Sequence, residues 1–191
     1  MIKNNIKIKI IYCIVLSIVI FSIFFTYKSW EYQIDNSVKA SNIYMQMLSK
    51  FDDKDMETVK LFGEKLILYY PNSPYASLAA FILSRNDIAH GNNNLALNRL
   101  KFIIKHSTNQ NFRQLARIRA AKIFLFKQNF QDAINILKIV DSDIYHTEIN
   151  EILGDIYLKN KNFNLARKYY TNNKNDLMVK IKTHYLDMIE S

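Results

Sequence analysis

The sequence predicts an all-α protein in which a single N-terminal transmembrane helix precedes an array of antiparallel helix pairs. Three observations carry this. Residues 10–27 form an uncharged apolar run, IIYCIVLSIVIFSIFFTY. Beyond Trp30 the apolar residues recur at spacings of three and four rather than two, the period of a helix face. Small side chains recur at fixed distances from short polar turns, which repeated close helix contacts require. The 191 residues include only three Gly and two Pro. That scarcity argues against a Gly-rich phosphate loop, a hairpin-rich β fold and a flexible Gly/Ser linker.

The apolar run comes first in the chain. As a helix, its length is about 27 Å, enough for a bilayer core. Lys3, Lys7 and Lys9 precede it, and Lys28 follows with Glu31 and Asp35 close behind. The positive flank predicts a cytoplasmic tail over residues 1–9, a membrane helix over 10–27 and a domain outside over 28–191. Tyr12, Tyr27 and Trp30 stand near the two ends of the run, where amphipathic rings favour the interface. A cleaved secretory signal needs small residues one and three positions before the cut, and the stretch from Ser22 to Trp30 offers no such pair. Cys13 lies inside the apolar run, so it reads as a lipid-facing or packing residue. As the single Cys of the chain it excludes an intrachain disulfide framework and a multi-Cys metal site.

The net charge of +9 divides at Trp30. Residues 1–30 hold four Lys and no acid, a net +4 that serves orientation; residues 31–191 hold 22 basic and 17 acidic residues, a net +5. Ile (27), Asn (21) and Lys (20) dominate the composition. All three have AT-rich codons, so part of the Lys excess is expected to reflect base composition rather than a polyanionic partner.

After the run, polar or Gly/Pro breakers fall at residues 71–74, 91–94, 107–111, 128–129, 141–143, 160–162 and 172–175. The segments between them predict helices joined by short connections. Ser73 is placed to cap a helix that Pro74 opens. Ala96, Ala133 and Ala166 each open the second helix of a pair, at intervals of 37 and 33 residues. Twelve residues before each stands another small residue, Ser84, Ala121 and Gly154; four after each stands a large one, Leu100, Leu137 and Tyr170. Antiparallel helices approach closely where small side chains meet, and large ones fill the flanking gaps. A divergent pair is expected over residues 31–70, closed by Pro71, and a capping helix over 175–189.

These positions resemble the tetratricopeptide repeat family, so the array is expected to be tetratricopeptide-repeat-like. The fullest copy runs over residues 151–170, with Leu153-Gly154, Tyr157, Phe163, Ala166 and Tyr170 at the family's spacing. The middle copy keeps Ala121, Phe124, Phe130 and Ala133. The first keeps Gly91 and Ala96 but has Asp87 where the aromatic belongs.

A second resemblance spans the chain. A short basic tail, one apolar helix, Tyr27-Lys28-Ser29-Trp30 at its exit, the run Ser73-Pro74-Tyr75-Ala76-Ser77-Leu78-Ala79-Ala80 and the Arg-rich helix start Leu115-Ala116-Arg117-Ile118-Arg119-Ala120-Ala121 are similar to YfgM-type ancillary subunits of the SecYEG translocon. That resemblance implies a bacterial inner-membrane protein with a periplasmic domain. It also implies association with the translocon, with the membrane-anchored chaperone PpiD and with exported polypeptides. The tail of about nine residues departs from longer members, so their cytoplasmic contacts are not carried over. A helical-repeat scaffold of another envelope assembly, for outer-membrane biogenesis or division, is the alternative.

No catalytic motif appears. His90, His106, His146 and His184 lack metal-ligand spacing, and neither a Walker loop nor a nucleophile elbow is present. Asp52-Asp53 and Asp141/Asp143 fall in predicted turns, where capping and turn formation explain them. The expectation is a non-enzyme without metal or cofactor. Arg113, Arg117, Arg119 and Lys122 lack the interleaved aromatics of a nucleic-acid platform; they read first as a solvated face and second as a contact for an acidic partner. A repeat array lines its inner side with the first helix of each pair. That register selects Phe81, Arg85, Ile88, Ile118, Lys122, Leu125, Glu151, Asp155 and Leu158. Among these Phe81, Arg85, Ile118, Lys122 and Asp155 are the candidate partner-binding residues. Phe81 and Ile118 have a second reading as core.

Overall fold

The computed structural model describes residues 2–171 and 177–190, with side chains over 15–171 and 177–189. Its helices are α1 (Ile2–Asp52), α2 (Met56–Tyr69), α3 (Pro74–Ala89), α4 (Asn93–His106), α5 (Gln110–Phe126), α6 (Phe130–Leu137), α7 (His146–Lys159), α8 (Phe163–Thr171) and α9 (Leu177–Glu190). A single 3-10 turn, Asp143–Tyr145, precedes α7. Among the described residues the chain is all-α, and the connections from α2 to α8 fall on expected breakers; the α1–α2 connection at 53–55 falls on none of them and adjoins the turn expected at Asp52-Asp53. The breaker at 172–175 and residue 191 lie outside the described residues.

The first helix runs unbroken for 51 residues because nothing stops it: the first Gly is Gly63 and the first Pro is Pro71. Thr26 donates its hydroxyl to the Ile23 carbonyl at 2.9 Å, and Lys28–Glu31 and Asp35–Lys39 pair along the exposed surface. Side chains over residues 10–14 of the expected membrane span lie outside the described residues. Among the described residues no helix is long and apolar enough to cross a membrane. What is described of the span, residues 15–27, is exposed all around, with Phe21 at 70%. Burial begins at Ala40, where Ala40, Ile43 and Met47 turn one face of α1 onto α2 and α3.

From there the chain stacks in pairs: α1 with α2, α3 with α4, α5 with α6, and α7 with α8, closed by α9. The divergent pair and the capping helix are therefore present. The first helices form one layer, linked by Tyr44 against Tyr75 (5.5 Å between ring centroids), Phe81 against Phe112 (5.9 Å) and Lys122 bonded to Glu148 (2.7 Å). In the second layer Arg99 of α4 reaches Glu64 of α2 at 2.8 Å. Four apolar clusters, one at each junction, make up the core.

Each pair turns the same way. Lys54, Gly91, Gln128 and Lys161 all take the left-handed conformation, with φ between 58° and 77°. The following amide bonds back to Lys50, Asp87, Phe124 and Tyr157 respectively, a helix C-terminal motif that satisfies otherwise orphaned carbonyls. The interval from Lys54 to Gly91 is the same as that from Gly91 to Gln128, so the divergent first pair is in register with the rest. Ser73 accepts the Tyr75 amide at 3.2 Å ahead of Pro74, as its position requires.

The small and large positions pack as their spacing predicts. Ser84, Ala96, Ala121, Ala133, Gly154 and Ala166 are buried, and so are Leu100, Leu137 and Tyr170. In the first pair the sizes are exchanged. Met47 stands at the small position of the first helix, and Gly63 takes the place of Leu100, Leu137 or Tyr170. A Cβ on Gly63 would lie 2.6 Å from Leu83 Cδ1 and 3.4 Å from Met47 Cε. A Cβ on Gly154 would enter the Tyr170 ring, 2.9 Å from its Cζ.

Three copies solve one further contact differently. Three residues after each small position stand Asp87, Phe124 and Tyr157; opposite them stand Arg99, Ile136 and Tyr169. Tyr157 and Tyr169 stack at 5.4 Å, Phe124 and Ile136 pack onto the same apolar clusters, and Arg99 donates to Asp87 at 2.5 Å. The acid that replaces the family's aromatic is thus one half of a buried ion pair, its partner Arg99 only 5% exposed. Burial pulls the Arg99 guanidinium down, but bonds to Glu64 and Asp87 outweigh it and hold it above the usual arginine range.

Two substitutions test this packing by chemical denaturation. Gly154→Val drives two methyls toward the Tyr170 ring and is expected to cost about 2 kcal/mol by overpacking. Asp87→Ala leaves the buried Arg99 guanidinium with Glu64 as its remaining carboxylate partner and is expected to cost about 2 kcal/mol, with Arg99→Met in the same background recovering part of the loss.

Candidate partner-binding face

The first-helix layer offers an extended face whose side chains are set by repeat register. Phe81 and Arg85 come from α3, Ile118, Arg119 and Lys122 from α5, and Glu148, Glu151 and Asp155 from α7. Register places Arg85, Lys122 and Asp155 at equivalent points, one residue after each small position, and the structure gives them different surroundings.

Arg85 is exposed. Lys122 is exposed too, but donates to Glu148 at 2.7 Å across the α5–α7 contact. Asp155 is occupied: it accepts from the Tyr170 hydroxyl at 2.6 Å, and Lys182 of α9 pairs with it at 2.8 Å and with Glu151 at 2.6 Å. The capping helix therefore seats a cation on the face at its last pair. Phe81 is 8% exposed and meets the Phe112 edge, with the Arg119 guanidinium over its ring at 4.7 Å. Ile118 is fully buried in the cluster shared by α5, α6 and α7, so it supports its neighbours rather than touching a ligand.

The basic segment of α5 is not the solvated face that its composition suggests. Arg113 and Arg117 both bond Asp141, and the Asp141 amide donates to Gln114 at 2.8 Å. These contacts pin the connection between α6 and α7. Asp141 was legible as a turn residue, but its partners were not, since they lie 24 and 28 residues away. Arg119, which carries the most informative surroundings, lies two residues before its small position and so falls between the positions that the register selects.

Among the described residues no group of three or more His, Cys, Asp or Glu side chains could hold a metal ion. His90 contacts the Asn86 carbonyl and His106 stacks on Phe102 at 4.8 Å, both local roles at helix ends. A groove of about 510 Å³ lies between residues 32–37 of α1 and the corner from Tyr69 to Pro74, with Thr108 also in its lining. It is open and lined mainly by Tyr, Asn, Ser and Pro.

Stacked helix pairs with equivalent turns and a recurring small-to-large contact define a helical-repeat array. The chain belongs to the tetratricopeptide repeat-like domain family, whose model matches residues 6–188. Two curated relatives resemble it over most of their length. One, from Buchnera aphidicola subsp. Schizaphis graminum (strain Sg), is named an ancillary SecYEG translocon subunit. It is 27% identical over 152 residues, which cover 78% of this chain and 77% of the relative. The other bears the same name in Buchnera aphidicola subsp. Acyrthosiphon pisum (strain APS) and is 24% identical over 162 residues, covering 84% and 79%. These likenesses agree with the YfgM-type assignment carried by the motifs.

The Tyr170–Asp155–Lys182 group has a pH signature. Burial, and then the Asp155 hydrogen bond, push the Tyr170 phenol far above its usual value of 10.0. Burial lowers Lys182, but Asp155 and Glu151 outweigh it and raise the ammonium. Both groups are higher in the folded state, so their stabilisation is present below the unfolded values and is lost as pH rises through the alkaline range. In Tyr170→Phe the melting temperature is expected to be lower at neutral pH. Its further fall between roughly pH 9 and 11 should be shallower than in wild type, because a phenol that must stay neutral is gone.

Proposed function

We propose that this chain is a non-catalytic, single-pass inner-membrane adaptor that works as an ancillary subunit of the SecYEG translocon. Residues 1–9 lie in the cytoplasm, residues 10–27 span the bilayer and residues 28–191 form the periplasmic repeat domain. The observation that carries this reading is continuity. One helix joins an apolar run, exposed on every side over its described residues 15–27, to the first helix pair of a repeat array. Two relatives whose matches cover 78% and 84% of this chain are both named ancillary translocon subunits.

The geometry suits such a role. An apolar run with open surface in water is stabilised by entering lipid or by packing on other apolar helices. From Tyr27 to Ala40, where burial begins, α1 rises about 20 Å, so the array stands off the bilayer on a helical stalk. An adaptor needs no chemical step. Tethering alone raises the effective concentration of a bound partner beside emerging chains. A PpiD-type chaperone and exported polypeptides are the partners we assign to the first-helix face, around Phe81, Arg85, Lys122 and Asp155, with Ile118 as support.

Photocrosslinking groups at Trp30 and Tyr32 in native membranes test the assignment. Recovery of translocon subunits is expected. Their absence, with another envelope assembly recovered instead, would replace this reading with that of a scaffold for that assembly. A periplasm-active reporter fused after Ser191 is expected to be active, and cytoplasmic activity would overturn the topology.

A further inference from the structure

Four of the six arginines are ion-paired within the chain: Arg99 with Asp87 and Glu64, Arg113 and Arg117 with Asp141, and Arg167 with Asp187. Arg85 and Arg119 bond no carboxylate among the described residues. They stand on adjacent first helices, α3 and α5, close enough for the Arg85 charge to act on Arg119. The Arg119 guanidinium is fixed over the Phe81 ring at 4.7 Å, and Phe81 is braced by the Phe112 edge. Burial, and then the Arg85 charge, pull the Arg119 guanidinium below the usual arginine range. Glu148 and Tyr145 act on it in the opposite sense, but the Glu148 carboxylate is already bonded to Lys122 at 2.7 Å.

Two cations held near one another, one of them partly desolvated, are an unfavourable arrangement that a single anionic group would relieve. Planar guanidinium groups match a carboxylate in geometry as well as charge. The flanks are apolar. Ile88 lies one turn beyond Arg85 and is 42% exposed, and Phe126, two turns beyond Arg119 on the same side of α5, is 74% exposed.

We propose that Arg85 and Arg119, with Phe81 beneath them, form a binding site for an acidic residue of an extended partner polypeptide whose neighbouring residues are apolar. This rests on the adaptor reading and specifies what its first-helix face selects. The other end of that face supports the choice. Glu151 and Asp155 share the single cation of Lys182 from α9 and keep a net negative charge there, whereas the unpaired charge at α3 and α5 is positive.

The test uses the full chain in nanodiscs of zwitterionic lipid and two fluorescein-labelled peptides. One alternates Leu with Glu; the other carries Gln in place of every Glu. The Glu peptide is expected to bind, with affinity that falls as salt rises. The Gln peptide, Arg85→Gln and Arg119→Gln should each weaken binding about tenfold, as loss of a charge-assisted bond implies. Arg85→Lys is expected to keep most of the affinity. Arg85 is exposed, so Arg85→Gln should melt with wild type and keeps the test valid even if Arg119→Gln unfolds the α3–α5 contact.

Equal binding of the two peptides, unchanged affinity in Arg85→Gln, or no binding of either peptide would overturn the proposal. Arginine-dependent capture by phosphatidylglycerol vesicles without peptide binding would also overturn it, in favour of a lipid surface. Any of these results beside intact translocon crosslinks from Trp30 would leave the adaptor reading standing. Loss of those crosslinks is the separate failure of that reading.

Discussion

The array depends on one steric condition: two helices of a pair touch only where one of them lacks side-chain bulk. Gly154 makes this explicit, since a single added carbon there would enter the Tyr170 ring. Because the helices come this close, the four-residue step to the large side chain is fixed, and Leu100, Leu137 and Tyr170 are all driven into full burial. The left-handed turn follows from the same condition. A chain that must reverse within two or three residues and lie back along its predecessor needs a residue at positive φ, and Lys54, Gln128 and Lys161 adopt it without being Gly. That conformation is costly for a side chain of their size, and it persists because the packing on both sides dictates where the chain must go.

The same condition explains the first pair. Bulk has only to be absent on one side of the contact, and which side is free to vary. Met47 fills the space from the first helix, and Gly63 leaves it open from the second. The pair is a member of the series with its sizes exchanged. It holds the end of α1 with the geometry that α3, α5 and α7 receive, which makes the long helix an integral part of the array. A force or a contact on the exposed segment around residues 15–27 is therefore passed to the repeats through helix rather than through a hinge.

Periodic features were legible in the sequence, and non-periodic ones were not. Ala96, Ala133 and Ala166 with their partners gave the pairs, turns and core of the last three units, because each contact is written twice at a fixed interval. The exchanged sizes of Met47 and Gly63 hid the first unit from a search for small residues at one position. Asp87 looked like a departure from the repeat because a pattern read along one chain does not show that Arg99 answers it from the facing helix. The same blindness to long-range partners made Arg113 and Arg117 look solvated when Asp141 holds both. Ile118 and Lys122 share a helix four residues apart, yet one is core and the other surface. Periodicity gives the helix face; the neighbouring helix decides how much of that face remains open.

Charge on the first-helix layer follows from what each helix has for a neighbour. Asp155 and Glu151, near the end of the array, have α9 to answer them, and Lys182 is drawn between the two carboxylates at the cost of its own desolvation. Lys122 and Glu148 answer each other across α5 and α7. Arg119 meets the Phe81 ring and a Glu148 carboxylate already bonded to Lys122, and Arg85 bonds no carboxylate among the described residues, so their charge stays uncancelled. A solenoid whose ends were both capped by complementary charge would present a neutral inner face with little to choose between ligands. This one holds a lysine between two carboxylates at one end and leaves the other positive beside exposed apolar side chains, and that asymmetry is what gives the face a direction and a preference.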